Sequence, residues 1–208
     1  MAEGEPLMSA LVAKARRLDT LADEPLPVVR RPGQTGRTAL LSLDLVRKAL
    51  PRSLVVAAGL DPTRTTGEVP PILWDDGTSR LLVHLDKATV VTGDGTIDVT
   101  VEVECDQAGR VAVVCTFVTS GRARPAGFSW ATETRPRGPA VVVENWGDAL
   151  VALCWRALIE IARGGAAAQG TDDVGQPLVP STVVAIPEGL VVVPMAAPRF
   201  MRTVRSLP

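Results

Sequence analysis

The chain has 208 residues, of which 46% are hydrophobic and 22% charged, with 22 Lys and Arg against 23 Asp and Glu for a formal net charge of −1. This balance belongs to a globular chain able to bury about 70% of its unfolded surface. It excludes a disordered or collagen-like chain, and a protein that holds nucleic acid by bulk positive charge. No run approaches the roughly 18 apolar residues of a membrane span, and Glu3 and Glu5 stand where a secretory leader would be basic. A cytoplasmic location is therefore expected, with neither membrane nor nucleic acid as partner.

Residues 6–22 are expected to be helical. Leu7, Leu11, Leu18 and Leu21, with Val12 and Ala15, mark one apolar stripe, and Lys14, Arg16, Arg17 and Asp19 fill the remaining surface. Pro25, Pro27 and Pro32 then impose an extended or looped arm. Over residues 38–50 two periods compete, because Ala39, Leu41, Leu43 and Leu45 alternate while Leu43, Val46 and Leu50 fit a helix. A short strand followed by a short helix that stops at Pro51 accommodates both. Residues 53–58 read as an apolar strand and 61–71 as a polar loop.

The clearest signal lies in residues 96–119. Ile97, Val99, Val101, Val103 and Cys105 point one way, and Asp98, Thr100, Glu102 and Glu104 the other, which is a strand with one dry face. Residues 110–119 are apolar on both faces, which places that strand centrally. A three-residue loop with Gly109 left-handed sets Asp106 opposite Arg110, Val103 opposite Val113, Val101 opposite Cys115 and Val99 opposite Phe117. One hairpin earlier, Asp94-Gly95 sets Thr92 opposite Ile97 and Val90 opposite Val99. Continued unbroken, that register turns His84 and Asp86 inward, against the apolar set Leu81, Val83 and Leu85. A one-residue slip exchanges the faces, so a bulge at residues 86–88 is expected, with His84 facing out. Residues 128–134 and 140–144 read as further strands.

Asn145 is a candidate cap for a helix over 146–163, with Gly164 and Gly165 ending it. Its polar residues form only a narrow stripe, so it must be covered on more than one side: by the sheet, and by either the first helix or another copy of the chain. Residues 164–180 read as a mobile loop or linker. Pro187, Glu188 and Gly189 join a hairpin whose second arm, carrying Pro194, is expected at a sheet edge. Arg199, Arg202 and Arg205 make the tail basic.

Little catalytic chemistry is assembled. His84 and Asp86 sit two apart on a strand, where a carboxylate can orient an imidazole as a base; they are the weak catalytic candidates, and an exposed polar pair explains them better. Asp75, Asp76, Asp94 and Asp98 lie in or near glycine-containing turns and lack calcium-loop spacing, so turn chemistry accounts for them. Cys105, Cys115 and Cys154 fall at apolar positions and read as small buried hydrophobes. No phosphate-binding glycine loop or nucleophile elbow is present, and neither a cofactor nor a metal is expected.

The expected fold is α+β: an antiparallel β-meander packed against a long, largely buried α-helix, with an N-terminal helix and a C-terminal β-hairpin. The expected divisions are 1–37 (helix and Pro-rich arm), 38–164 (core) and 165–208 (linker, hairpin and tail). The favoured function is non-enzymatic binding or assembly, through a homo-oligomer or a protein partner, with Trp155, Leu158, Ile159 and Ala162 at the interface. The alternative is a small enzyme or ligand binder with a sheet–helix pocket near His84 and Asp86.

Overall fold

The computed structural model describes residues 38–62, 69–119, 128–130 and 135–197. The expected N-terminal helix, most of its arm and the basic tail lie outside the described residues. Among the described residues ten elements run in the order β1 (Ala39–Ser42), α1 (Leu43–Ala57), β2 (Ile72–Asp75), β3 (Arg80–Thr92), β4 (Thr96–Cys105), β5 (Gly109–Thr119), β6 (Phe128–Trp130), α2 (Ala140–Ala167), β7 (Leu178–Ile186) and β8 (Gly189–Ala196). Strands β2 to β6 form a five-stranded antiparallel sheet in sequential order, and β1, β8 and β7 form a separate three-stranded antiparallel sheet with β8 in the middle. The fold is thus α+β, with a meander packed on a long helix.

The meander follows its patterning. β3 pairs with β4 as Thr92 to Ile97 and Val90 to Val99, and the register shifts between His84 and Thr89. Five steps along β3, from His84 to Thr89, face two steps of β4, from Thr100 to Glu102. The three additional residues are an odd number, so the faces exchange. Leu81, Val83 and Leu85 join Val90 in the core, and His84 turns outward. At the next turn Gly109 is left-handed (φ +63°), as expected, but the register differs. Cys105 pairs with Gly109, Val103 with Val111, Val101 with Val113, Val99 with Cys115 and Ile97 with Phe117. The offset from the expected pairing is two residues. Being even, it keeps each side chain on its face, and hydrophobic patterning cannot distinguish the two registers.

Both helices are longer than expected. α1 has Ser42 as its cap, with Ser42 Oγ accepting from Leu45 N at 3.3 Å, and it continues through Pro51. An interior proline costs about 3 kcal/mol. Its continuation fully buries Leu54 and Val55, each contributing roughly 1.5–3 kcal/mol, so burial wins and the expected strand at 53–58 is the second half of this helix. α2 begins at Ala140, absorbing the expected strand at 140–144. Its cap is Pro139, not Asn145. Val142, Trp146 and Leu150 recur at four-residue spacing on its buried side. Nor do Gly164 and Gly165 end it. A methyl group at Gly165 would lie 2.8 Å from Leu41 Cδ1, so glycine there lets β1 approach the helix.

Both helices touch both sheets: α1 packs on β3 and on β1 and β8, and α2 packs on β4 and β5 and on all three strands of the smaller sheet. The second layer over α2 is therefore α1 together with the three-stranded sheet of the same chain. Trp155, Leu158 and Ala162, expected at an interface between chains, are buried within one chain. Ile159 is half-buried and packs on the same core. Trp155 stacks on Phe117 of β5 with ring centroids 5.8 Å apart. The expected break at 164 falls inside α2, and Val183, Ala185, Leu190 and Val192 share one core with the meander. The expected linker is in part helix and in part a loop closed on Asp172, whose Oδ1 accepts from Val174 N and Gln176 N. β8 is not an edge strand. β1 spans only four residues and pairs no further than Val192, so at Pro194 the one neighbour is Pro180, and the missing N–H breaks no ladder bond to β1.

The sheets join at one corner through backbone groups. Gly95 N donates to Ala185 O (3.0 Å), Thr119 N donates to Gly95 O (2.8 Å), and Ala185 N donates to Thr119 Oγ1 (3.0 Å). Thr92 Oγ1 donates to Pro187 O (3.2 Å). Thr92 and Thr119 are the buried polar side chains among the described residues, and both serve this junction.

Candidate functional site

His84 sits between Val83 and Leu85, which enter the core, so its ring lies on the face of the larger sheet turned away from the helices. Its side chain is 13% exposed, and Nε2 makes no hydrogen bond. The nearest acid is Glu104 of β4, at 3.7 Å from Oε2, rather than Asp86. Asp86 lies within the bulge and pairs with Lys87 at 3.1 Å. Leu85 between them is buried while His84 and Asp86 are both half-buried on the outward side, so the two share the face turned away from the helices, with Glu104 and Lys87 as their respective ionic partners. The rest of that outer face is mixed, with Leu73, Leu82, Val91, Val114 and Val118 facing outward among polar pairs. Arg110 pairs with Glu102, and Asp98 accepts from Thr116 Oγ1 (2.5 Å) and from Arg137 (3.0 Å).

The carboxylates in turns are occupied by the turns themselves. Asp76 accepts from Ser79 N (2.7 Å), from Thr78 Oγ1 and N (2.8 Å each) and from Ser79 Oγ (3.1 Å). These donors, the Ser79 amide foremost, lower its pKa from 3.8 to about 2. Asp75 is lowered by the Gly77 amide and then by Arg80, 2.9 Å away. No group of three metal-ligating side chains occurs among the described residues. Cys154 on α2 meets Cys115 on β5. That contact and complete burial raise the Cys154 pKa, so its reactive thiolate form is suppressed. A cleft of about 70 Å³ lies between Arg80, Asp106 and Asn145. It has room for a few waters and falls well short of the roughly 300 Å³ of a small-molecule pocket.

The feature that stands out is the outer face of the three-stranded sheet. Ala39, Leu41, Leu190, Val192, Val183 and Ala185 point to α2 and are buried. The alternate residues point outward. Leu40, Val191 and Val184 form one row across the sheet, Val193 and Thr182 form the next, and Met195 and Val179 the one beyond. Ile186 lies beside Gly189 and Ser42 at the other end. Leu40 is 59% exposed, and the valines, Ile186 and Met195 are half-buried without packing on the core. Nothing on this face is charged. An antiparallel sheet that faces water commonly carries polar residues there; the larger sheet interleaves Asp98, Glu102, Arg110 and Thr116 with its outward Leu82, Val91 and Val114, whereas this face carries no charged side chain. The signal was present in the sequence. Residues 182–186 and 190–193 are apolar almost without interruption, the mark of a strand covered on both faces.

No helix among the described residues is long and apolar enough to cross a membrane. No family model, curated protein or solved structure matches this chain.

Proposed function

We propose that this chain is a non-enzymatic binding or assembly protein that associates with a second copy of itself through the outer face of the three-stranded sheet. One observation carries this reading: the face built from Leu40, Val184, Val191, Val193, Ile186 and Met195 is apolar across all three strands and bears no charge. A twofold axis brings one patch against itself. A charged patch would repel its own image, and this one has nothing to repel. Two such faces stack about 10 Å apart with side chains interdigitated, as in a β-sandwich. This moves the proposed interface from α2, whose apolar surface the chain covers itself, to the sheet that covers α2.

Sedimentation velocity of the full chain over a wide concentration range tests the reading. A reversible monomer–dimer equilibrium is expected. Leu40→Glu and Val184→Lys should each hold the chain as monomer with little change in thermal unfolding, because both positions lie on edge strands with the side chain turned outward. A wild-type chain that stays monomeric throughout, or a dimer indifferent to both substitutions, overturns it.

A further inference from the structure

We infer that Met195 is an oxidation site, and that conversion of its thioether to the sulfoxide by a hydroperoxide loosens the pairing of two copies; this rests on the reading that the face is a self-association surface. Position comes first. On β8 Leu190, Val192 and Pro194 are buried, and Val191, Val193 and Met195 alternate with them toward the outer face. Met195 pairs with Val179 of β7 in the end row of that face, is half-buried and does not pack on the core. The other sulfur atoms of the described residues sit elsewhere. Cys115 and Cys154 have zero exposure, and Cys105 packs against the core.

The chemistry needs only the hydroperoxide. A sulfur lone pair attacks one peroxide oxygen, the S–O bond forms and the O–O bond breaks. Sulfur loses two electrons, the peroxide gains them, and with hydrogen peroxide the departing hydroxide takes the proton of the transferred oxygen and leaves as water. A flexible apolar side chain has become a polar one. Val179 and Val193, beside it on the face, offer no donor, and the Ser181 hydroxyl already donates to Val193 O (2.9 Å). In the single chain the sulfoxide oxygen keeps its water. Between two copies it loses that water without gaining a partner, which is costly, and a twofold axis puts two such groups in each interface. The penalty therefore falls on pairing and leaves the fold alone.

The test is sedimentation velocity of the full chain before and after hydrogen peroxide, with oxidation at each methionine read by peptide mass spectrometry. Met195→Leu keeps the apolar volume and leaves Met1, Met8, Met201 and the three cysteines in place, so it isolates Met195. Leu40→Glu is the face control. Oxidised wild type should associate more weakly by roughly tenfold or more, with thermal unfolding little changed, and should recover after treatment with the two epimer-specific methionine sulfoxide reductases. Met195→Leu should associate like untreated wild type with or without peroxide. Unchanged association in a chain whose Met195 is fully oxidised, equal weakening of wild type and Met195→Leu, or a Met195 that stays reduced while the other methionines react overturns the inference. If Leu40→Glu still abolishes that association, the proposed function stands. A chain that is monomeric before any peroxide is added overturns the proposed function and this inference with it.

Discussion

The two sheets of this molecule have nearly the same inner surface, but only the larger carries charged side chains on its outer one. Inward, both present Val, Leu, Ile and Ala to the helices, with Val99, Val101, Val192 and Leu190 at zero exposure. Outward, the larger sheet interleaves Leu82, Val91 and Val114 with Asp98, Glu102, Arg110 and Thr116 in cross-strand polar pairs, while the smaller carries Leu40, Val191, Val184 and Met195 and no charge. The inner faces explain why the chain folds, and they would be the same whether or not it bound anything. The outer faces differ in charge: that of the larger sheet carries ion pairs and that of the smaller sheet carries none. Apolar area removed from water contributes about 25 cal/mol per Å², so the proposed pairing draws on the uncharged face rather than on the one with ion pairs.

The comparison can be broken or sharpened by experiment. The largest effect should come from the helix the two sheets share. Leu150→Ala removes a fully buried side chain from α2, and a loss of about 2–5 kcal/mol in denaturant unfolding is expected. Both sheets should be lost in one transition, because they share one core. Separate transitions would show that the smaller sheet is an independent unit. Next comes the junction. Thr119→Val leaves the buried Ala185 amide without its acceptor and should cost about 1–3 kcal/mol, with faster amide exchange at Ala185. On the outer face of the larger sheet, Glu102→Gln removes a solvent-exposed ion pair with Arg110. It should change stability by less than about 1 kcal/mol and leave sedimentation unaltered. An effect on association as large as that of Leu40→Glu would erase the distinction between the faces.

The smallest effect concerns the β2–β3 turn. The Asp76 carboxyl titrates near 2 in the folded chain, below its ordinary 3.8. A depressed carboxylate contributes stability that is complete above the ordinary value and is lost as pH falls through the folded one. Carboxyl ¹³C shifts should therefore give a midpoint near 2, with the Ser79 and Thr78 amides moving in step and the sheet faces unaffected. A midpoint close to 3.8 would mean that the turn is open in solution.

Local pattern made a large part of this fold legible. The alternation of residues 96–105, the Asp94-Gly95 turn and the conflict between that turn and Leu81, Val83 and Leu85 were enough to require the β3 bulge and the outward His84. The β4–β5 pairing was legible only up to an even slip, since Val111, Val113 and Cys115 are interchangeable partners for a strand of alternating valines. The site was less legible. His84 and Asp86 share the outward face, as alternate residues of a strand do, but their ionic partners are Glu104 and Lys87, and the Glu104 contact depends on cross-strand register rather than local spacing. The excess apolar surface of α2 was read correctly as needing a second layer, but which layer depends on partners remote in sequence. β1 and β8 are about 150 residues apart along the chain and adjacent in the sheet.

The sequence by itself determined what depends on neighbours a few residues away: the strand periods, the turn glycines, the polar outer side of residues 96–105 and the apolar girth of α2. Only the tertiary structure decided what depends on long-range burial. It carries α1 through Pro51, because Leu54 and Val55 have a core to enter, and it carries α2 through Gly164 and Gly165, because Leu41 needs the space. It also sets a strand from the start of the described chain beside the C-terminal hairpin, which turns scattered apolar residues into one continuous face. Propensity and turn chemistry act over one turn of backbone. The hydrophobic effect acts on whatever surfaces the finished fold brings together.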